Sequence, residues 1–188
     1  MLTEDQVFEK INFKQNPLPK GEYENCTFVA CDLEQADLSG IVLTDCILKD
    51  SNLSNVRVNK STSLKNVRFQ NCKVLGLLFS GCNEFLFEVN FENCVLDFSA
   101  FDRLKMKKTR FKGCSLKQVD FSATDLTEAV FADCDLSGAK FERTILEKAD
   151  LRTARQYTID PEANRLKKAR FSLADVAGLL TKYNIVID

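Results

Sequence analysis

The chain has 188 residues, of which 28% are charged, and its formal net charge is -1. This length suits one domain with a sizeable core, and the near-neutral charge creates no overall field that selects nucleic acid or an anionic membrane. Histidine is absent, which removes the commonest general base, pH switch and nitrogen ligand for metals. The composition therefore disfavours an enzyme.

The first ten residues, MLTEDQVFEK, lack the basic and apolar regions of a signal peptide. No apolar run approaches the length that a membrane span requires. The chain contains eight cysteines, and without a secretion signal these indicate reduced thiols. We therefore expect a cytoplasmic protein that does not contact a membrane.

A five-residue repeat begins near the start of the chain, with bulky apolar centres at every fifth position from Phe8 to Val58. One extra residue follows around positions 59–63, and two more are inserted between Ser80 and Phe85. Five-residue spacing fits neither a helix nor a simple strand. It predicts short extended pieces joined by turns, in a chain that must coil because no single unit can bury its own centre.

The most regular stretch runs from Leu86 to Leu151. All fourteen positions at five-residue spacing are bulky and apolar, in a chain that is only 45% hydrophobic. Whether the first centre of this stretch falls at residue 85 or at residue 86 is ambiguous, because the two-residue insertion ends there. The carboxylates of Asp32, Asp120 and Asp125 directly precede centres, where they can accept turn hydrogen bonds.

Three segments resemble the A(D/N)LXX motif of pentapeptide-repeat proteins: ADLSG at 36–40, TDLTE at 124–128 and ADLRT at 149–153. The resemblance covers about residues 20–155. It implies an all-β fold, a right-handed quadrilateral β-helix in which four repeats form one turn and each face recurs every 20 residues. The residues support this period independently, since two phenylalanine series at 20-residue spacing would line opposite faces. They are Phe91, Phe111 and Phe131, and Phe101, Phe121 and Phe141.

Cysteines recur with the same period. Once both insertions are discounted, they predict one inner corner of stacked, reduced and buried thiols. Thiols stacked one per coil are too linear for a tetrahedral zinc site. Buried cysteines behave as small hydrophobic residues, so we expect a filling role and neither a metal nor a cofactor. The predicted column contains Cys31, Ser51, Cys72, Cys94, Cys114 and Cys134.

Residues 103–117 include seven basic side chains. Nucleic-acid binding would require these charges to be uncompensated along one surface. The 20-residue period instead places Lys105 beside Asp125 and Lys108 beside Glu128. Such ladders are usually solvated faces with small pair energies, so we expect no direct nucleic-acid binding.

Three aromatic residues form the candidate partner surface, because exposed aromatic side chains are enriched where partners bind. Phe98 falls at an outward position in the assumed register. Either Phe85 or Phe87 also falls outward, although both lie at the insertion, where burial is an equally good interpretation.

The repeat changes after residue 157, and SLAD at 172–175 is typical of a helix N-terminus. We expect the β-helix from about Phe13 to Phe171, and one helix near residues 172–183 followed by an extended tail. This divides the chain into a β-helix domain, residues 1–171, and a capping and dimerisation segment, residues 172–188. Because a solenoid needs its open end covered, the helix is expected to cap the last coil and to pair with a second copy. The expected interface is Leu173, Val176, Leu179, Leu180, Tyr183, Ile185, Val186 and Ile187.

The chain also resembles two groups within the family, the Qnr-type quinolone-resistance proteins and the microcin B17 immunity protein. The similarity lies in length, in the single solenoid and in residues 159–166 near the end. It implies a non-enzymatic homodimer that binds DNA gyrase or topoisomerase IV and protects it from quinolones or peptide toxins. The long projecting loops of the better Qnr proteins are missing here. The alternative is a structural or scaffolding repeat protein that binds another protein partner.

Overall fold

Short parallel strands stack along nearly the whole chain in the computed structural model, which describes residues 1–186. Nine strands form one continuous sheet and four form a second, and neighbouring strands pair in parallel. The strands are Leu2–Glu4, Val7–Glu9, Gly21–Glu24, Thr27–Val29, Ile41–Thr44, Ile47–Lys49, Ser63–Lys65, Val67–Gln70, Val89–Glu92, Arg110–Lys112, Val130–Ala132, Asp150–Leu151 and Arg170–Phe171. Three 3-10 helices, Phe79–Gly81, Val176–Leu179 and Thr181–Tyr183, complete the regular structure.

Each coil has four sides, because four parallel ladders run along the rod at five-residue offsets and each recurs after 20 residues. This confirms the quadrilateral β-helix. We name the sides A to D in chain order. Side A carries the nine-stranded sheet and the core residue Phe111, side B carries Leu116, side C carries Phe121, and side D carries Leu126 and the four-stranded sheet.

The corners between sides turn through residues with positive φ. The corner between sides D and A, which we call the D–A corner, uses Asn25, Asp45 and Asn66 in successive coils. Asparagine and aspartate tolerate this left-handed conformation better than other side chains with a Cβ atom. Their side chains also bond along the rod, since Asn66 Nδ2 donates to Asp45 Oδ1 at 2.6 Å. The asparagine and aspartate residues at this corner therefore both turn the chain and link successive coils.

Stacked phenylalanine rings fill the centre of the rod. On side A the ring centroids of Phe91, Phe111 and Phe131 follow one another at 5.3 and 5.0 Å. On side C Phe101 stacks on Phe121 at 5.5 Å. Rings from the two sides meet edge to face, as Phe111 and Phe121 do at 5.8 Å, a favourable arrangement for aromatic pairs. The two phenylalanine series therefore do line opposite faces.

The solenoid begins earlier than Phe13, which corrects the expected start. Strand Leu2–Glu4 pairs with Gly21–Glu24, and strand Val7–Glu9 pairs with Thr27–Val29. The reason is that the first coil already has an aromatic centre, Phe8, whose ring stacks on Phe28 at 4.8 Å.

The register at the second insertion differs from both alternatives predicted from the sequence. Leu86 is 62% exposed and turns the D–A corner with φ of 57°. Phe87 is buried instead and meets Phe79 edge to face at 6.3 Å. The two extra residues lie after the D–A corner. The evidence is that Val67 pairs in the sheet with Val89 and not with Phe87. Leu86 is therefore not a core centre.

One side chain links the first insertion to the neighbouring coil. Lys60 Nζ, from the first insertion, donates to the carbonyl oxygens of Ser80 and Cys82 at 3.2 and 3.1 Å and to Glu84 Oε1 at 3.0 Å. The ammonium group thus satisfies backbone acceptors that leave the regular ladder where the chain bulges.

The C-terminal segment is not the single helix that its apolar spacing predicted. Ser172 Oγ accepts a hydrogen bond from the Asp175 amide at 3.2 Å, as an N-cap does. Two short 3-10 helices follow, Val176–Leu179 and Thr181–Tyr183. Gly178 lies directly against the Tyr157 carbonyl, and Ile159 donates its amide to the Gly178 carbonyl at 3.0 Å. These contacts flatten the segment across the end of the rod. Among the described residues, no helix is long and apolar enough to span a bilayer.

Candidate interaction surfaces

The cysteine column lies inside the rod as predicted. All eight cysteines are free and buried. The Cys72 amide donates to Cys94 Sγ at 3.4 Å, and the Cys31 amide donates to Ser51 Oγ at 3.0 Å. The serine therefore occupies a cysteine position in the same column, and both insertions leave the column intact.

Hydrogen bonding explains why this inner position takes cysteine, serine or threonine, which apolar spacing did not show. Cys46 Sγ donates to the carbonyl oxygens of Tyr23 and Thr44, each at 3.3 Å. Thr124 Oγ1 donates to the carbonyl oxygen of Phe101 at 2.8 Å. The side chain at this position thus satisfies backbone acceptors at the corners. The sequence did hold one sign of this hydrogen bonding, because serine replaces cysteine at one position of the column.

Several of the buried thiols are held in their protonated form. Burial raises the pKa of Cys46 to about 11 and that of Cys82 to about 12. Hydrogen bonds with Cys114 and Cys72, followed by burial, raise the pKa of Cys94 as well. Within residues 1–186, no group of three or more cysteine or carboxylate side chains could hold a metal ion. Cys46, Cys82 and Cys94 are therefore core thiols with low nucleophilicity.

We expect the fold to lose stability as the pH rises from about 9 towards 12. The ordinary pKa of these thiols is 9.0, whereas the folded-state pKa of Cys46 and of Cys82 is about 11 and about 12. Unfolded thiols ionise in this window while folded ones stay protonated, so the unfolded state binds fewer protons and stability falls. Below pH 9 the contribution is fully present.

Urea denaturation at pH values of about 8 and 10.5 measures this loss. A double variant, Cys46→Ala with Cys82→Ala, should lose less stability between the two pH values than the natural chain. An equal loss in both proteins would show that these thiols do not contribute to the pH dependence.

The carboxylates that precede the core centres are occupied by turn hydrogen bonds, as expected. Asp120 Oδ1 accepts from the Ser122 amide at 2.8 Å, and Asp32 Oδ1 accepts from the Glu34 amide at 3.1 Å. Asp125 Oδ1 likewise accepts from the amide and hydroxyl of the residue two positions later. These side chains therefore hold the turns of the solenoid.

Part of the basic run over residues 103–117 lies in the expected charge ladders. Lys108 and Lys148 both pair with Glu128, at 3.9 and 3.2 Å. Asp125 is opposite Lys105 in the ladder, but its ion pair is with Lys107 at 3.4 Å. All these lysines are largely exposed, so each pair contributes at most about 1 kcal/mol.

The three aromatic residues of the candidate partner surface do not form one surface. Phe85 and Phe98 are exposed, by 69% and 59%, whereas Phe87 is 8% exposed. Phe85 adjoins Leu86 at the D–A corner. Phe98 turns the corner between sides B and C, in the column of Asn55 and Gly76. The two exposed rings therefore lie on opposite corners of the rod.

The residues expected at a dimer interface lie across the C-terminal end of the rod. Val176, Leu179 and Leu180 are partly buried, and Leu179 packs against the core. Lys182 Nζ pairs with Asp160 at 2.7 Å and with Glu162 at 2.6 Å, which fixes the segment to the last coil. The more exposed members of the set are Leu173, Tyr183, Ile185 and Val186, and Ile187 lies outside the described residues.

A profile of the pentapeptide repeat region matches residues 22–84 and 85–157, well over half of the chain. The chain belongs to the pentapeptide-repeat family. The first matched segment spans the first insertion, and the boundary between the two segments falls at the second insertion. No curated protein matches the chain.

Solved structures of other pentapeptide-repeat proteins share the fold. QnrB1, a plasmid-mediated fluoroquinolone resistance protein, is 15% identical with a TM-score of 0.56, and the match covers 98% of this chain and all of QnrB1. A trypsin-treated QnrB1 variant is 21% identical with a TM-score of 0.53, covering 97% and 99% of the two chains. HetL from the cyanobacterium Nostoc, involved in heterocyst differentiation regulation, is 19% identical with a TM-score of 0.52, covering 90% and 84%.

Proposed function

We propose that this pentapeptide-repeat protein acts in the cytoplasm without chemistry of its own, by binding DNA gyrase or topoisomerase IV and protecting it from quinolones or peptide toxins. The observation that carries the proposal is the end-to-end match to QnrB1, which spans 98% of this chain and 100% of that one. This match over the full rod, including the terminal segment, supports the proposal because both proteins present a rod of similar length and shape to a large partner.

Charge indicates how the protein would engage a topoisomerase. Duplex DNA carries one negative charge per about 1.7 Å. Residues 1–55 hold ten acidic and four basic side chains, but residues 56–118 hold five acidic and twelve basic ones. A rod with a basic middle cannot reproduce the uniform charge of a duplex. The protective effect therefore comes from specific surface contacts and not from general competition with DNA.

The proposed active form is a tail-to-tail homodimer through residues 172–188. Leu173 and Val186 are 91% and 87% exposed, and Leu180 of the same segment is partly buried. An apolar set of this kind at the end of a solenoid is well suited to an isologous contact with a second copy.

A supercoiling assay with reconstituted gyrase and topoisomerase IV tests the proposed function. The protein should relieve inhibition by a quinolone or a peptide toxin at concentrations that leave the uninhibited enzyme fully active. Serum albumin at the same concentration is the control for non-specific effects. Inhibition of gyrase alone at those concentrations would favour a DNA-mimic mechanism. No effect on either enzyme would favour a scaffolding role with another protein partner.

A further inference from the structure

One turn of the D–A corner differs in chemistry from every other turn of that corner. The turn residues are polar or charged in the other coils but are Phe85 and Leu86 in the coil of the second insertion. Both are exposed, by 69% and 62%. The polar turns are Glu4 and Asp5, Glu24 and Asn25, Thr44 and Asp45, Lys65 and Asn66, Lys107 and Lys108, Thr127 and Glu128, Glu147 and Lys148, and Lys167 and Lys168.

Leu86 is also unfavourable for the backbone at its position. Its φ is 57°, in the left-handed region, where Asn25 and Asn66 occupy the same corner of other coils. A residue with a bulky side chain loses about 1 kcal/mol in this conformation. Leu86 therefore contributes neither burial nor backbone stability, so its side chain needs another explanation.

A basic groove adjoins this turn on side A. Arg68 and Arg110 lie on either side of Asn90 in neighbouring strands, and Asn90 Oδ1 accepts the Arg110 amide at 2.9 Å. The two arginines are two strand spacings apart, roughly 10 Å. Neither guanidinium has a carboxylate partner within ion-pair distance in the described part of the chain, whereas Lys112 in the same groove pairs with Glu92 at 2.7 Å.

The apolar turn and the basic groove are continuous. Leu86 and Phe87 line a shallow depression that also includes Asn66 and Glu88. The same Asn66 and Glu88 form one wall of the groove that holds Arg68. An extended ligand can therefore pass from the exposed leucine around the corner to the unpaired arginines.

We propose that the D–A corner at the second insertion, with Phe85, Leu86, Arg68 and Arg110, binds an extended acidic segment of a protein partner through one apolar side chain and two carboxylates. In the extended polyproline II form, side chains three positions apart lie on one face and are separated by roughly 9 Å, close to the backbone spacing of the two arginines. Arginine binds carboxylates in a bidentate manner. The interspersed Glu88 and Glu92 disfavour a polyanion such as nucleic acid, which requires an uncompensated basic stripe. This proposal holds whether or not the protein partner is a topoisomerase.

Fluorescence anisotropy with a labelled peptide tests the surface directly. The probe is a glutamate-rich peptide of about twelve residues with spaced leucines, measured at low ionic strength, where ion pairs are least screened. We expect saturable binding that weakens at least about tenfold in Leu86→Asn and in Arg110→Glu. Leu86→Asn should at the same time raise Tm, because asparagine suits the left-handed corner. The loss of binding cannot then be attributed to unfolding.

Phe98→Asn is the matched control. Phe98 is an exposed residue with φ of 64° on the opposite corner, so its replacement should also stabilise the fold but leave peptide binding unchanged. A lysine-rich peptide of the same pattern and a single-stranded DNA of similar length should not bind. Undiminished binding to Leu86→Asn, equal loss in Phe98→Asn, absence of peptide binding, or equal binding of the DNA would each overturn the proposal. None of these outcomes decides whether the protein protects a topoisomerase, which the supercoiling assay tests separately.

Discussion

Phe111→Ala is expected to lower the free energy of unfolding by about 3–5 kcal/mol, the range for a buried phenylalanine replaced by alanine. The Phe111 ring is fully buried and stacks between Phe91 and Phe131 at 5.3 and 5.0 Å. It also meets Phe121 edge to face at 5.8 Å. Removing it opens a cavity in the centre of a one-dimensional stack, where the rigid ladders on either side prevent collapse. Urea denaturation followed by circular dichroism measures the change.

Phe98→Ala is the control for this substitution, because the same ring is removed from an exposed corner. Its effect should stay within about 0.5 kcal/mol, as for other surface replacements. A loss smaller than about 1 kcal/mol in Phe111→Ala would mean that the backbone ladders, and not the aromatic stack, hold the coils together.

Gly178→Ala is expected to detach the C-terminal cap and to convert the proposed homodimer into monomers. A Cβ atom at this position would clash with the Tyr157 carbonyl oxygen and crowd the Tyr157 ring. The obstacle is backbone of the last coil, so the cap must move. Native mass measurement should give twice the 21.3 kDa chain mass for the natural protein and the single chain mass for the variant.

Ala177→Ser, at the exposed neighbouring position, should remain dimeric. Deletion of residues 173–188 should give monomers or insoluble protein, because it uncovers the last coil. A natural protein that is monomeric at micromolar concentration would contradict the proposed dimer. A Gly178→Ala variant that stays dimeric would place the interface elsewhere on the rod.

The repeating part of this fold could be predicted because its determinants are local. A bulky centre every five residues and a small residue two positions earlier fix which side chains point inward. The 20-residue period then places Cys94 beside Cys114, and Phe111 beside Phe131, without further information. Even the column linking Ser51 with Cys72 was correct, since an insertion that bulges outward leaves the inner corners in place.

Two parts depended on contacts that spacing does not encode. The five-residue spacing shows that two residues are inserted near residue 85, but it does not show which residues bulge out of the sheet. The structure buries Phe87 instead of Leu86. The C-terminal apolar spacing is helical, yet the packing of Gly178 on Tyr157 flattens the segment into 3-10 turns. Tertiary contact overrides local propensity at both places.

The candidate interaction surface was only partly predictable for a related reason. Exposed aromatic residues can be expected from the register, as Phe98 was, but their grouping depends on which corners they occupy. The sequence did not reveal that Arg68 and Arg110 are unpaired, because neighbouring lysines such as Lys107 and Lys108 do form ion pairs. Only the three-dimensional arrangement separates the paired lysines from the free arginines.

Direct binding to a topoisomerase is the measurement that tests the central claim most closely. Purified protein should be titrated against reconstituted DNA gyrase and topoisomerase IV from its own host, each with and without duplex DNA, by a label-free method such as interferometry. The account predicts saturable binding to at least one enzyme that persists when DNA is present, since specific contacts and not DNA competition are proposed. Absence of binding to both enzymes at concentrations far above those of the cell would contradict it.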